Sequence, residues 1–222
     1  MDEIVANEGV VQFLKTKFIE GGPWFMGIIT LVLVVGLAFC IERLIYLYLS
    51  KINSRQLLSE AEKKLETGTV DEVKILARGH RGPVASIAYQ AFSRIDEPVD
   101  TIEKSVQAYG NAQVGLLEKN LSWISLCITV APTLGFLGTV VGMIMAFDDI
   151  QLAGDINPTV VAGGMKVALI TTVGGLIAAL ILQFFYNLIQ TLIDGLVNDM
   201  ENASVSLMDM ILKYKKQLKI KN

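Results

Sequence analysis

The sequence predicts an all-α integral membrane protein with three transmembrane helices and long cytoplasmic helical extensions. Three observations point there. Of the 222 residues, 52% are hydrophobic, and the mean hydropathy is +0.51, more apolar than soluble domains run. Residues 121–147 and 167–193 carry no charged side chain. At about 1.5 Å per residue, each run exceeds the roughly 30 Å of hydrocarbon in a bilayer. Finally, the charges that flank the runs are asymmetric, with acids alone in residues 148–157 between the last two and lysines at the C-terminal end.

Residues 1–22 are expected to be a periplasmic amphipathic helix. Ile4, Val5, Val11, Leu14 and Phe18 recur at helical spacing, as in a helix lying on a membrane surface. This stretch has four acids against Lys15 and Lys17 and lacks the basic start of a secretory signal, so it is expected to stay in the mature protein. Gly21, Gly22 and Pro23 then break the helix. Residues 23–49 form the first span, with Trp24 near one interface and Tyr46 and Tyr48 near the other. Glu42 and Arg43 sit toward its far end, where snorkelling to the headgroups gives them a structural role.

Residues 50–119 read as a cytoplasmic helical domain. Thr69 with Glu72 and Asp100 with Glu103 have the spacing of capping boxes, and Pro98 stops the preceding helix. From Thr101 no proline occurs until Pro132, so one helix is expected to run unbroken into the second span. Leu57, Leu58, Leu65, Ile75, Leu76, Ile87, Phe92 and Ile95 supply apolar faces for a helical bundle. His80, alone in R-G-H-R-G-P, reads as a solvated turn residue.

The second span covers residues 120–147 and is expected to kink at Pro132, whose ring displaces the carbonyl of Ile128. Residues 148–157 form a short periplasmic loop with Asp148, Asp149 and Asp155 and no basic residue. Asn157 and Pro158 then read as cap and first residue of the third span, 158–193. Leu196, Met200, Ala203, Leu207, Met210, Ile211, Tyr214 and Leu218 continue a helical stripe through a cytoplasmic C-terminal helix, 194–222, that ends rich in lysine. Lys51, Arg55 and these lysines place the insert and C-terminus in the cytoplasm and the N-terminus outside.

Small residues mark the faces along which the late spans pack. Gly135, Gly138, Thr139, Gly142 and Ala146 fall on one helical stripe, and Ala168, Thr172, Gly175 and Ala179 on another, with Gly164 joining the packing set. In lipid, small side chains allow close backbone approach and hydroxyls bond across the contact. The same pattern serves plain helix packing, and a membrane threonine often bonds only its own backbone.

Chemistry is sparse. Cys40 and Cys127 lie inside spans without nearby histidines, which argues against a metal site or a structural disulfide. Neither a nucleophile with its base nor a phosphate loop appears, so an enzyme is disfavoured and no cofactor is expected. The charge of -3 offers no basic surface for nucleic acid. Thr139 and Thr172, with Thr133 and Thr171 as secondary candidates, are the polar groups nearest mid-span. Hydroxyls do not titrate near neutral pH. A proton carried through these spans therefore needs a carrier on another chain. Lys166 is expected to pair with Asp148, Asp149 or Asp155 or to snorkel outward, the functional alternative being an anion or partner-carboxylate contact at the outer mouth.

The strings A-P-T-L-G-F-L-G-T-V-V-G-M and G-G-M-K-V-A-L-I-T-T-V-G-G-L, with F-Y-N following, resemble those of the MotA/TolQ/ExbB family of proton-channel subunits, and most closely the ExbB and TolQ branch. The resemblance implies a homo-oligomer, a pentameric ring, around single-span ExbD- or TolR-like partners whose aspartate takes up and releases the proton. It also implies a TonB-like protein further along the system. The family's threonines fall on Thr139 and Thr172, which would line the pore. Many members have a glutamate where this chain has Val167, so the role of that acid does not transfer. The resulting expectation is an inner-membrane stator subunit that turns proton flow into work for TonB-dependent outer-membrane transport. The alternatives are a TolQ, gliding or flagellar stator and, in another class, a passive membrane scaffold. A secondary transporter is weaker, because inverted repeats and an intramembrane carboxylate are lacking.

Overall fold

The computed structural model describes residues 9, 12, 15–51, 53–154 and 158–221, and those in secondary structure are all helical. Residues 15–20 form a short helical stretch, while Ile4, Val5, Val11 and Leu14 lie outside the described residues. Seven longer helices follow: α1 (Pro23–Ser50), α2 (Ser54–Thr67), α3 (Val70–Gly79), α4 (Pro83–Ser93), α5 (Val99–Leu117), α6 (Leu121–Ala153) and α7 (Pro158–Lys221). Three helical stretches are long and apolar enough to cross a membrane, and α1, α6 and α7 supply their apolar cores. The chain divides into two units, Met1–Ile41 with Asn120–Asn187, and Glu42–Lys119 with Leu188–Asn222.

The first unit packs the start of α1, α6 and the first half of α7. Ile29, Ala131 and Ala178 are buried together, with Val32, Leu33, Leu134 and Ala179 against them. Gly36 is buried in the contact with Leu182 and Cys127, and Phe39 stacks on Trp123 with ring centres 6.4 Å apart. Its outward side chains are apolar: Val34, Phe136, Val140, Ile144, Leu169, Val173 and Leu180 are all exposed. A surface of that kind has lipid, not water, as its solvent.

The second unit is a helical bundle of conventional polarity. α2 packs on α3, α3 on α4 and α4 on α5, burying Leu57, Leu65, Val73, Ile87, Phe92, Ile102 and Val106. The later part of α7 buries Ile193, Leu196, Met200, Leu207 and Ile211. Lys213 reaches Glu62 at 3.2 Å, and Lys215 donates to the carbonyl of Glu97. Ile75 does not join the core; at 70% exposure it points to solvent from the outer face of α3. Arg43 is only 4% exposed and does not snorkel into open solvent. Its Nε donates to Glu42 at 2.7 Å, its Nη1 to the carbonyl of Leu116 at 3.3 Å, and its guanidinium lies 4.8 Å from the centre of the Tyr46 ring.

Several local expectations are corrected. No helix runs unbroken from Thr101, because α5 ends at Leu117 and Asn120 adopts a left-handed conformation, φ 68°, before α6. Asp100 is not a cap, since Pro98 occupies that position and Asp100 lies in the first turn. Thr69 does sit at the N-cap of α3, but its side chain makes no capping bond. α6 passes beyond Phe147 to Ala153 and stops at Gly154, φ 68°. Asp148 and Asp149 are therefore helical and not part of a loop. Gly154 terminates the helix because a left-handed residue after the last turn costs glycine nothing. Pro158 opens α7 as expected, and the helix is continuous to Lys221; Asn157 lies outside the described residues. His80 is exposed.

Candidate functional site: the α6–α7 seam

Where α6 meets α7, the contact is made by residues too small to hold the backbones apart. Ala131, Gly135, Gly138, Gly142 and Ala146 of α6 are all buried. Gly164 is half-buried, and Ala168, Thr171, Gly175 and Ala178 are buried, on the facing side of α7. A methyl group at Gly135 would stand 2.8 Å from the carbonyl oxygen of Thr171, and one at Gly175 2.5 Å from that of Ala131. These distances are shorter than van der Waals contact, so the sequence builds the seam by leaving side chains out. Ala179 is half-buried beside the seam.

The four threonines separate in role. Thr171 is fully buried; its hydroxyl donates to the carbonyl of Ala168 at 2.8 Å and sits over Gly138, where an added Cβ would come within 2.6 Å of Oγ1. It fills the seam and does not line a free face. Thr172 is half-buried. Its hydroxyl reaches across to the carbonyl of Gly135 at 3.2 Å and lies 3.4 Å from its own Ala168 carbonyl. Thr139 is half-exposed and donates to the carbonyl of Phe136. Thr133 is exposed and donates to the carbonyl of Val130 at 2.7 Å. Each hydroxyl has thus committed its one hydrogen to a main-chain carbonyl. What it can still offer a visitor is a lone pair.

Toward the start of α7 the charge arrangement differs from expectation. Lys166 pairs with Glu20 at 2.7 Å, not with Asp148 or Asp149; Asp155 lies outside the described residues. Glu20 also receives Lys17 at 2.7 Å. The ammonium groups of Lys166 and Lys17 hold the Glu20 carboxyl below its ordinary pKa. Gly21 is buried beneath Ile170 of α7, and Gly22, φ 80°, lies against Val167. Sequence reasoning missed Glu20. The available signal was its place immediately before the Gly-Gly-Pro break, where the chain turns into the first span.

The described residues hold no group of three or more His, Cys, Asp or Glu that could bind a metal. Cys40 and Cys127 are buried free thiols.

Residues 79–202 match the MotA/TolQ/ExbB proton channel family. The chain is 27% identical over 195 residues to the biopolymer transport protein ExbB homologue of Methanothermobacter thermautotrophicus, covering 86% of this chain and 69% of that one. It is 25% identical over 160 residues to the ExbB-like 3 biopolymer transport protein of Synechocystis, covering 71% and 76%. Against the Tol-Pal system protein TolQ of Haemophilus influenzae it is 28% identical over 124 residues, covering 52% and 54%. The matched region begins at the end of α3, runs through both small-residue stripes and ends in the later part of α7. With the three apolar helices it makes this chain a member of the MotA/TolQ/ExbB proton channel family, close to ExbB.

Proposed function

We propose that this chain is the channel-forming stator subunit of an ion-driven motor in the inner membrane, acting with an ExbD- or TolR-like partner. As a homopentamer with its N-terminus in the periplasm and its C-terminus in the cytoplasm, it would turn the proton motive force into work on a TonB-like protein for outer-membrane transport. The relatives named for biopolymer transport support the uptake branch; the TolQ likeness makes an envelope stator the alternative.

One observation carries the reading. The two late spans present hydroxyls and no acidic or basic side chain between residues 121 and 147 or 167 and 193. A proton crossing such a path rides on a carboxyl group brought by the partner. Thr139 and Thr172, already donating to carbonyls, offer that group acceptor lone pairs. A protonated carboxyl can donate to them at once, whereas a carboxylate must first detach a hydroxyl from its carbonyl. The resting sleeve therefore favours the neutral acid, which is the form able to move through low-dielectric surroundings.

The test compares Thr172→Val with Thr172→Ser in the complete complex, reading proton flux and motor output. Serine keeps the hydroxyl and should keep activity. Valine should lower flux about tenfold, the equivalent of one hydrogen bond to a charged or acidic group. Equal flux in the two variants would remove Thr172 from the pathway, and the passive-scaffold alternative predicts no flux in either.

A further inference from the structure

A cleft of about 910 Å³ opens in the first unit, bounded by the start of α1, the second half of α6 and the start of α7. Phe25, Val141, Met145 and Val167 give it apolar walls, and Gly163 and Gly164 leave one side without side chains. It reaches from Gly138, near mid-span, to Asp149, close to the end of α6. Along a helix that distance is about 16 Å, or one half of the roughly 30 Å hydrocarbon core.

The cleft is therefore as deep as a single leaflet. Its electrostatics are one-sided. Asp149 is its only ionisable lining residue among those described, and neither lysine nor arginine joins it. Asp149 makes no ion pair among the described residues, and it lies two residues past the uncharged run 121–147, where a spanning helix of that length meets the headgroups. Lys166, the nearest basic residue in sequence, is engaged by Glu20. An apolar slot one leaflet deep, with an unpaired carboxylate at its headgroup end, is complementary to a lipid that carries an amine above its acyl chains.

We propose that the cleft is a binding site for a phospholipid with a primary-amine headgroup. An acyl chain lies along Val141 and Met145 toward Gly138, and the headgroup ammonium donates to Asp149. The site belongs to the leaflet on the side of the α6–α7 connection. It is independent of whether protons pass along the seam.

The full chain is reconstituted in phosphatidylcholine bilayers containing equal phosphatidylethanolamine and phosphatidylglycerol, and the lipid retained after mild extraction is counted by native mass spectrometry. The wild type should retain phosphatidylethanolamine about tenfold over phosphatidylglycerol, as one charge-assisted hydrogen bond implies. Asp149→Asn should keep the lipid but lose the headgroup preference. Gly163→Leu should displace the lipid and still fold, because a Cβ at Gly163 meets nothing within 4 Å. Absence of retained lipid in the wild type would overturn the proposal, as would undiminished retention in Gly163→Leu or equal headgroup preference in wild type and Asp149→Asn. Efficient cross-linking of Gly163→Cys between two copies in the bilayer would also overturn it, since a protein neighbour would then fill the slot.

Discussion

Lys166 and Glu20 are 146 positions apart in the chain and 2.7 Å apart in space. The pair ties the segment before α1 to the first turns of α7, next to the close contacts of Gly21 with Ile170 and Gly22 with Val167. Because the ammonium groups of Lys166 and Lys17 hold the carboxyl below the ordinary glutamate range, its stabilising contribution is present above the unfolded pKa and is lost as pH falls through the folded one. Melting curves of wild type and Glu20→Gln should therefore differ by a constant amount near neutral pH and converge under strongly acidic conditions. High salt should shrink the difference, since Lys166 is 51% exposed. The double exchange Glu20→Lys with Lys166→Glu should recover part of what either single change loses. Nothing in the sequence pairs these two residues, because the contact depends on the tertiary path of the chain. The same limit separates Thr171 from Thr172. Adjacent positions on a helix differ by about 100° of rotation, so one fills the seam and its neighbour edges out of it. A stripe that includes Thr172 but not Thr171 is off by that single step.

At the scale of elements, the spans were readable because a bilayer demands long uncharged runs, and α1, α6 and α7 follow them. The packing stripes were readable for the same kind of reason, since Gly135, Gly138, Gly142 and Ala146 repeat with the helix and are buried together. Steric exclusion makes a sharp prediction here. Gly135→Ala and Gly175→Ala each place a methyl against backbone, which cannot yield as a flexible side chain can. Each should lower stability by about 1–3 kcal/mol, measured by thermal or denaturant unfolding in detergent. Gly27→Ala, where a Cβ meets nothing within 4 Å, should be neutral within error. The break before α6 was not readable. Glu118, Lys119 and Asn120 include neither proline nor glycine, and only the left-handed backbone of Asn120 marks the interruption. Asparagine tolerates that conformation and a β-branched residue does not. Asn120→Val should therefore cost about 1–2 kcal/mol, while Asn120→Gly should keep the turn. Comparable stability of the valine and glycine variants would show that the turn does not depend on the residue at this position.

Taken whole, the molecule combines a lipid-facing unit, nearly devoid of ionisable groups within its late spans, with a bundle whose exposed faces are charged. Continuous passage of protons requires groups that bind and release them at successive depths. A threonine hydroxyl can accept or donate a hydrogen bond, but it cannot hold the charge for a step at neutral pH. In this chain the carboxylates that flank the late spans, Asp148 and Asp149 at the end of α6 and Asp194 in α7, lie outside the uncharged runs 121–147 and 167–193. On the proposed function, an assembly of such subunits would therefore insulate until an acid on the proposed partner enters it. Vesicles containing the isolated protein should show proton leakage indistinguishable from protein-free vesicles, whereas co-reconstitution with the single-span partner should raise flux well above that baseline. Changing the aspartate of the proposed ExbD- or TolR-like partner to asparagine should return flux to the baseline without disrupting assembly, because asparagine keeps the shape and hydrogen-bonding capacity but not the titration. Proton current through the isolated chain at the rate of the complex would mean that water crosses the seam unaided, and the threonines would then be lining a pore instead of selecting the protonation state of a guest.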